Sequence, residues 1–345
     1  MWTIEELLKK AGNFGASDIH LTVSSPPVFR IDGELKAVGN EILTKEHIHS
    51  YISKILTDEQ YRLFTEKGES DLSFGLPGLG RYRINVFLQR DNPGMVIRII
   101  PLVIKTPEEL GLPPALVNFA SLHRGLILVT GPTGSGKSTT LASLINLINH
   151  NRSAHIITIE DPIEFLHSHK KCLVNQRELG QDTQSFSNAL RAALRQDPDI
   201  ILVGEMRDLE TIAMAVTAAE TGHLVFSTLH TNDAPQAIDR IIDVFPPHQQ
   251  GQIRVQLASV LQGIVAQQLF PLHNNNRGRV AAYEVLVATT AVRNMIREGK
   301  THQIKNIIQT SSQMGMITME KAVENLVKRG LVSAETAQER MYELF

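Results

Sequence analysis

Apolar residues recur with two different periods over residues 1–100. Ile4, Leu7, Leu8 and Ala11 keep the spacing of one helix face, whereas Ile19, Leu21 and Val23 alternate as in a strand buried on one side. Val28 to Val38 carries Asp32-Gly33 at its centre, a dipeptide that accepts positive φ at both turn positions, and so predicts a hairpin. A second hairpin is predicted from Arg81 to Ile100, with strands Arg81–Leu88 and Met95–Ile100 around the turn signal Asp91-Asn92-Pro93-Gly94. Between the hairpins, Thr44–Leu56 and Asp58–Lys67 read as helices, with Thr44 and Thr57 placed to cap them.

Pro101, Pro107, Pro113 and Pro114 then remove backbone donors and fix φ at short intervals, which places an interdomain linker at 101–115. From Leu126 the alternation stops. Continuous apolar runs at Leu126–Val129, Ile156–Ile159, Ile200–Val203 and Leu224–Phe226, followed by helical stretches, predict buried parallel strands. Beyond Pro271 the period is mainly helical, apart from a strand at Val280–Leu286. The fold class is therefore α/β: an N-terminal α+β domain over 1–100, and a second domain over 116–345 that ends in helices.

The length of 345 residues agrees with two domains at about 150 residues each. Composition narrows the function classes. With 34 Lys and Arg against 36 Asp and Glu, no global positive field exists to hold nucleic acid or an anionic membrane, so any basic site must be local. Cys172 is the single cysteine, which excludes an intrachain disulfide and a zinc clip of paired cysteines and fits a reducing cytoplasm. Glu5 and Glu6 stand where a secretory signal needs basic and then apolar residues, and no apolar run is long enough to span a bilayer.

The strongest chemical signal is Gly131-Pro132-Thr133-Gly134-Ser135-Gly136-Lys137-Ser138, a G-x-x-x-x-G-K-[ST] loop between an apolar strand and a helix predicted from Ser138 to Leu144. Its glycines let successive backbone N–H groups converge on phosphates at a helix N-terminus. Lys137 should reach the β and γ oxygens, and the Ser138 hydroxyl should face magnesium. ATP or GTP binding follows.

Hydrolysis also needs a carboxylate at the carboxyl end of a neighbouring strand. Ile200–Val203 ends in Gly204-Glu205, and Ile156–Ile159 ends in Glu160-Asp161 with Glu164 beyond. Gly204 occupies the place of the usual Walker B aspartate, so Glu205 acts alone on its strand. By residue type alone, capping by Glu160 and Asp161 with Glu164 as a solvated acid is the commoner fate, but four acids near predicted strand ends favour the functional reading. His230 follows the Leu224 strand, where a γ-phosphate sensor would stand, while His223 precedes that strand and is left open between function and structure. His150, His155, His167 and His169 match no zinc spacing.

Charge developing on a transferred phosphoryl group calls for arginine, whose supply accelerates NTPases by about 10³ to 10⁵. Arg191 and Arg195 are predicted at i and i+4 on a helix ending at Asp197-Pro198. Arg81, Arg83 and Arg98 lie in the second hairpin, with Arg81 and Arg83 on one side of their strand. They could serve a neighbouring subunit, or protect an edge strand by charge.

Together these motifs resemble the secretion ATPases of type II and type IV pilus systems over essentially the whole chain. The family's Walker A box is similar to Gly131–Thr139, its acidic box to Ile157–Phe165, its atypical Walker B box to Asp199–Asp208 and its histidine box to His223–His230. The resemblance implies a PAS-like first domain, a RecA-like P-loop NTPase second domain and a homohexameric ring using ATP and Mg2+. It implies that Glu164 polarises the attacking water, that Glu205 holds magnesium through water and that His230 senses the γ-phosphate. It further implies that Arg191, Arg195, Arg81, Arg83 and Arg98 close around nucleotide.

Ala291–Glu298 is similar to the Ala-Ile-Arg-Asn-Leu-Ile-Arg-Glu motif associated with retraction, differing at Val292 and Met295. By its period alone the segment is either a docking surface or a packed amphipathic helix. The implied function is a cytoplasmic motor at the cytoplasmic face of the inner membrane at the pilus base. It would retract pili with an inner-membrane platform protein and other pilus motor ATPases as partners, meeting the membrane only through them and binding no nucleic acid. An assembly or type II secretion ATPase, and a nucleotide-regulated switch, are the alternatives.

Overall fold

The computed structural model describes residues 2–76, 79–100, 103–273 and 278–342. Contacts divide the chain into two compact units, Met1–Val103 and Ile104–Phe345. Of the expected linker, Pro101 lies outside the described residues. From Ile104 onward that stretch belongs to the second unit: it forms the short helices Pro107–Leu110 and Pro114–Phe119, and buries Leu112 and Leu116 in that unit's core.

In the first unit, β1 (Asp18–Thr22), β2 (Val28–Ile31), β3 (Glu34–Ala37), β4 (Glu69–Leu76), β5 (Gly80–Gln89) and β6 (Asn92–Ile100) pair antiparallel in the order β3-β2-β1-β6-β5-β4. The inward residues of alternate positions, such as Ile19, Leu21, Phe29, Ile84, Val86 and Ile97, share one core with the apolar faces of three helices. Those helices, Ile4–Asn13, Lys45–Ile55 and Asp58–Lys67, all start with capping boxes, on Thr3, Thr44 and Thr57. Strand β4 has no counterpart among the predicted elements, because its serines, acids and glycine leave Leu72 as its one buried side chain.

The second hairpin turns earlier than its composition suggests. Gln89 pairs with Asn92, so Arg90 and Asp91, at φ 49° and 60°, form a two-residue turn whose twist suits the strands. Pro93 and Gly94 continue β6 instead. Pro93 lies past the last β1 partner, where no strand needs its missing N–H.

In the second unit, β7 (Gly125–Thr130), β8 (His155–Glu160), β9 (Leu173–Glu178), β10 (Ile200–Val203), β11 (Leu224–Leu229), β12 (Leu261–Pro271) and β13 (Arg279–Val287) form one sheet in the order β13-β12-β7-β11-β10-β8-β9. All neighbouring pairs are parallel except β12 with β13. The four apolar runs are the central strands, and β7, β10 and β11 are buried along their full length. Strands β9 and β12 are additions to the predicted set, because β9 is half polar and β12 starts directly from the helix Pro247–Val260 with no turn residue between. Helices Thr290–Arg297, Ile304–Thr310, Met319–Lys328 and Ala334–Tyr342 follow, as the period predicts. No helix among the described residues is long and apolar enough to cross a membrane.

The segment similar to the retraction motif is packed. Val292 and Ile296 are fully buried, and the Arg293 guanidinium donates to the carbonyls of Ala258 (2.6 Å) and Ser259 (2.9 Å), closing the end of the helix Pro247–Val260. Asn294, Arg297 and Glu298 remain exposed.

A buried acid joins two helix starts to β13. Glu284, 2% exposed, accepts from the backbone N–H of Ala234 (2.9 Å) and of Met319 (3.4 Å). Burial pushes its carboxyl up to about 7 despite those donors. An unfolded glutamate titrates near about 4.3, so between those values the folded protein holds a proton that the unfolded chain has released. The stabilisation is therefore full below the unfolded value and is lost as pH rises through the folded one. Thermal midpoints measured from pH 4 to 8 should fall with rising pH more steeply in the parent than in Glu284→Gln, and parallel profiles would refute this assignment.

Candidate active site

The P-loop leaves β7 at Thr130 and curls through Gly131, Gly134 and Gly136, at φ 147°, 79° and 90°. Two of these glycines are also demanded by the neighbouring strand. A Cβ on Gly131 would collide with the Gln267 carbonyl oxygen, and one on Gly136 would stand 2.8 Å from Gln267 Nε2. The helix Lys137–Asn151 begins on Gly136 with no side-chain cap, whereas Thr, Ser or Asp side chains cap the helices starting at Ile4, Phe186, Leu209 and Ala234. Its first-turn N–H groups are thus left for a ligand. Ser135 Oγ is buried beside Gly131 with no hydrogen-bond partner among the described residues. Pro132, Thr133 and Gly134 form the exposed lip, and Ser138 and Thr139 are half-buried in the first helical turn.

Lys137 is 8% exposed and donates to the carbonyls of Gly131 (2.8 Å) and Pro132 (3.0 Å). Burial lowers its ammonium from the ordinary range, and the charges of Glu205 and Glu164 oppose that shift. Those two acids therefore bear on the same buried ammonium.

Glu205 lies just past β10. Its Oε2 accepts from Arg207 Nε at 2.6 Å and lies 3.4 Å from His230 Nε2. Burial and then Lys137 lower the His230 pKa, against the pull of Glu205, so its ring is neutral near pH 7. Gly204 has a steric reason to replace the Walker B aspartate: a Cβ there would press on the Ile159 carbonyl oxygen at 3.2 Å and Glu160 Cα at 3.3 Å. Two threonines tie the loops together. Thr228 Oγ1 donates to the Gly204 carbonyl (2.6 Å), and Thr130 Oγ1, next to the P-loop, accepts from Thr231 N (3.0 Å), next to His230.

Glu164 is exposed, in a loop held from below by β9. Ile163 N donates to Glu178 Oε2 (3.0 Å), His167 N donates to Gln176 Oε1 (2.8 Å), and Gln176 Nε2 donates to the Phe165 carbonyl (2.8 Å). Glu160 accepts from Thr158 Oγ1 (2.6 Å) and Gln176 Nε2 (3.1 Å), and burial raises its carboxyl. Ser138, Glu160, Phe165, His167, Gly204 and Thr228 line a cleft there.

Other candidates stand elsewhere. His223 sits at the amino end of β11, opposite the end that carries His230, and its Nδ1 lies 2.8 Å from the Ala218 carbonyl, where it closes a helix end. Arg191 pairs with Glu210 at 2.9 Å. Its helix ends at Ala193, so Arg195 lies in the following turn, past the Leu194 N–H that closes the helix end. In the first unit, Arg83 pairs with Asp71 (2.7 Å) and Arg98 with Asp18 (2.9 Å). Arg83, Arg98, Asp18 and Arg30 follow one another in register across β5, β6, β1 and β2, so Arg83 and Arg98 are direct neighbours and Asp18 separates Arg98 from Arg30. Arg81 stands on the same strand as Arg83. Sequence reasoning missed Gln267, Thr130 and Gln176, whose contacts join segments distant along the chain, and gave no role to Arg207, although it lies within the Asp199–Asp208 box two residues from Glu205.

Among the described residues, no group of three or more His, Cys, Asp or Glu side chains is arranged to hold a metal by itself. Magnesium characteristically takes one or two protein oxygens plus phosphate oxygens, and Ser138 with Glu205 fits that donor set.

A family described as type II/IV secretion system protein matches residues 2–339. The type IV pilus retractation ATPase PilT of Pseudomonas aeruginosa is 50% identical over 337 residues, covering 98% of this chain and 97% of that protein. A twitching motility protein of Neisseria gonorrhoeae is 48% identical over 314 residues, covering 91% of this chain and 84% of that protein. Among solved structures, the pilus retraction motor PilT with bound ADP superposes with a TM-score of 0.92 at 49% identity, covering 98% of this chain and 97% of that one. On a match that spans nearly its whole length and relatives at about half identity, the chain belongs to the type II/IV secretion system protein family.

Proposed function

We propose that this protein is a motor subunit that hydrolyses ATP to drive type IV pilus retraction. The observation that carries the reading is the convergence of Lys137, Glu205 and His230 at the carboxyl ends of β7, β10 and β11, in a chain aligned almost end to end with a retractation ATPase. The P-loop N–H groups and Lys137 bind and orient the phosphates of ATP. Glu164 polarises the attacking water, Glu205 supplies a carboxylate for the metal-bound water shell, and neutral His230 offers its ring to the γ-phosphate. Ser138 and Glu205 are the residues that would hold Mg2+, which supplies charge neutralisation on the phosphate oxygens.

The working form is a homohexamer at the cytoplasmic face of the inner membrane, engaging a platform protein and other pilus motor ATPases. Arg191, Arg195, Arg81, Arg83 and Arg98 act in the assembled ring, where those now paired to Glu210, Asp71 and Asp18 exchange partners. Deletion of the gene tests the direction of the motor: cells should become non-motile while keeping abundant surface pili, counted by electron microscopy. Loss of pili would instead establish an assembly ATPase.

A further inference from the structure

We infer that Gln267 is a positioning residue that sets the orientation of a P-loop peptide and thereby the affinity for nucleotide. Gln267 lies on β12, whose Ala266 pairs with Thr130, so it stands one residue beyond the strand end from which the P-loop departs. It is 3% exposed, and both ends of its amide are engaged. Oε1 accepts from Thr140 Oγ1 at 2.7 Å, and Nε2 donates to the Ser135 carbonyl at 2.7 Å.

The second bond has a consequence for the ligand side of the loop. In a trans planar peptide the carbonyl and the next N–H point in opposite directions. Holding the Ser135 oxygen toward β12 turns the Gly136 N–H away from β12. That N–H belongs to the Walker A turn whose donors are the means of gripping phosphate. An apolar side chain of the same volume would fill the space and leave the peptide free to rotate. The strand's choice of a buried amide is therefore explained by the donor it orients.

Thr140 anchors the other end of the amide from the helix that the P-loop opens, while Tyr283 on β13 pairs in register with Gln267 itself. The glutamine is thus held from two elements before it meets the loop.

The inference rests on the nucleotide-binding reading above, and its test separates the two. ADP binding is measured by calorimetry and ATP turnover at steady state on the full chain, for the parent, Gln267→Leu, Gln267→Glu and Thr140→Val. Gln267→Leu should weaken ADP about tenfold and raise KM by a similar factor with kcat within about threefold, the cost of losing one charge-assisted phosphate donor's alignment. Gln267→Glu keeps the Thr140 bond but loses the donor to Ser135, and its loss of affinity should be at least as large. Thr140→Val should show the same KM-type change at smaller size, which keeps the test open if a Gln267 variant fails to fold. Parent-like ADP affinity in the folded variants, whether or not their thermal midpoint falls, would overturn the inference alone. So would a loss confined to kcat. A parent that binds no ADP would overturn the proposed function itself, and this inference with it.

Discussion

Lys137→Ala is expected to lose about 10³ in kcat/KM for ATP, some 4 kcal/mol of transition-state stabilisation. Its ammonium is buried against two loop carbonyls and sits in the field of two acids, so the site holds a cation in place before any phosphate arrives. Phosphate oxygens are better partners than neutral carbonyls for a desolvated ammonium, because the charge–charge term is large where water is scarce. Alanine would leave Glu205 and Glu164 facing triphosphate without the intervening positive charge, so repulsion adds to the lost attraction. Steady-state turnover with purified protein, alongside ADP calorimetry, measures both. A variant that binds and cleaves ATP as the parent does would remove the basis for the nucleotide site.

Glu205→Gln should separate chemistry from binding. The amide keeps the size of the side chain but loses the charge that now meets Arg207 and His230. If the carboxylate serves the reacting complex and not the ground-state grip, turnover should fall by about 10² to 10³ while ADP affinity stays within about threefold. Glu164→Gln should give the same split if it polarises the attacking water, with the difference that its loop hydrogen bonds to Gln176 and Glu178 are made by backbone and stay intact. Full steady-state turnover in Glu205→Gln would show that the metal and water are served by other groups.

Some of this was legible before any fold was known. The Walker A loop is contiguous, and each of its residues acts within a single turn, so spacing alone located it. The four apolar runs are buried on both faces, which erases alternation and marks parallel strands directly. Helix starts at Thr44 and Thr57 were equally visible, because a cap is a contact over three residues. The helix that carries Arg191 ends at Ala193 and not at Asp197, because a helix boundary depends on the packing and capping of its last turn, which the residue pattern does not show. The turn of the second hairpin was misplaced because Pro93 is tolerated in a strand wherever the partner strand has already ended.

What the sequence determined by itself was the chemistry available: a phosphate loop, acids and a histidine at the ends of apolar strands, and arginines in two separate segments. The tertiary structure decided which of these meet. It set Glu205 between Arg207 and His230, sent His223 to the far end of the same strand, and placed Gln267 behind a loop that lies far from it along the chain. The physical reason is range. Caps, turns and periodicity are interactions among near neighbours and can be read along the chain. The partners of a buried amide or carboxylate such as Gln267 or Glu284 are fixed by strand order and register, which depend on packing the whole sheet at once.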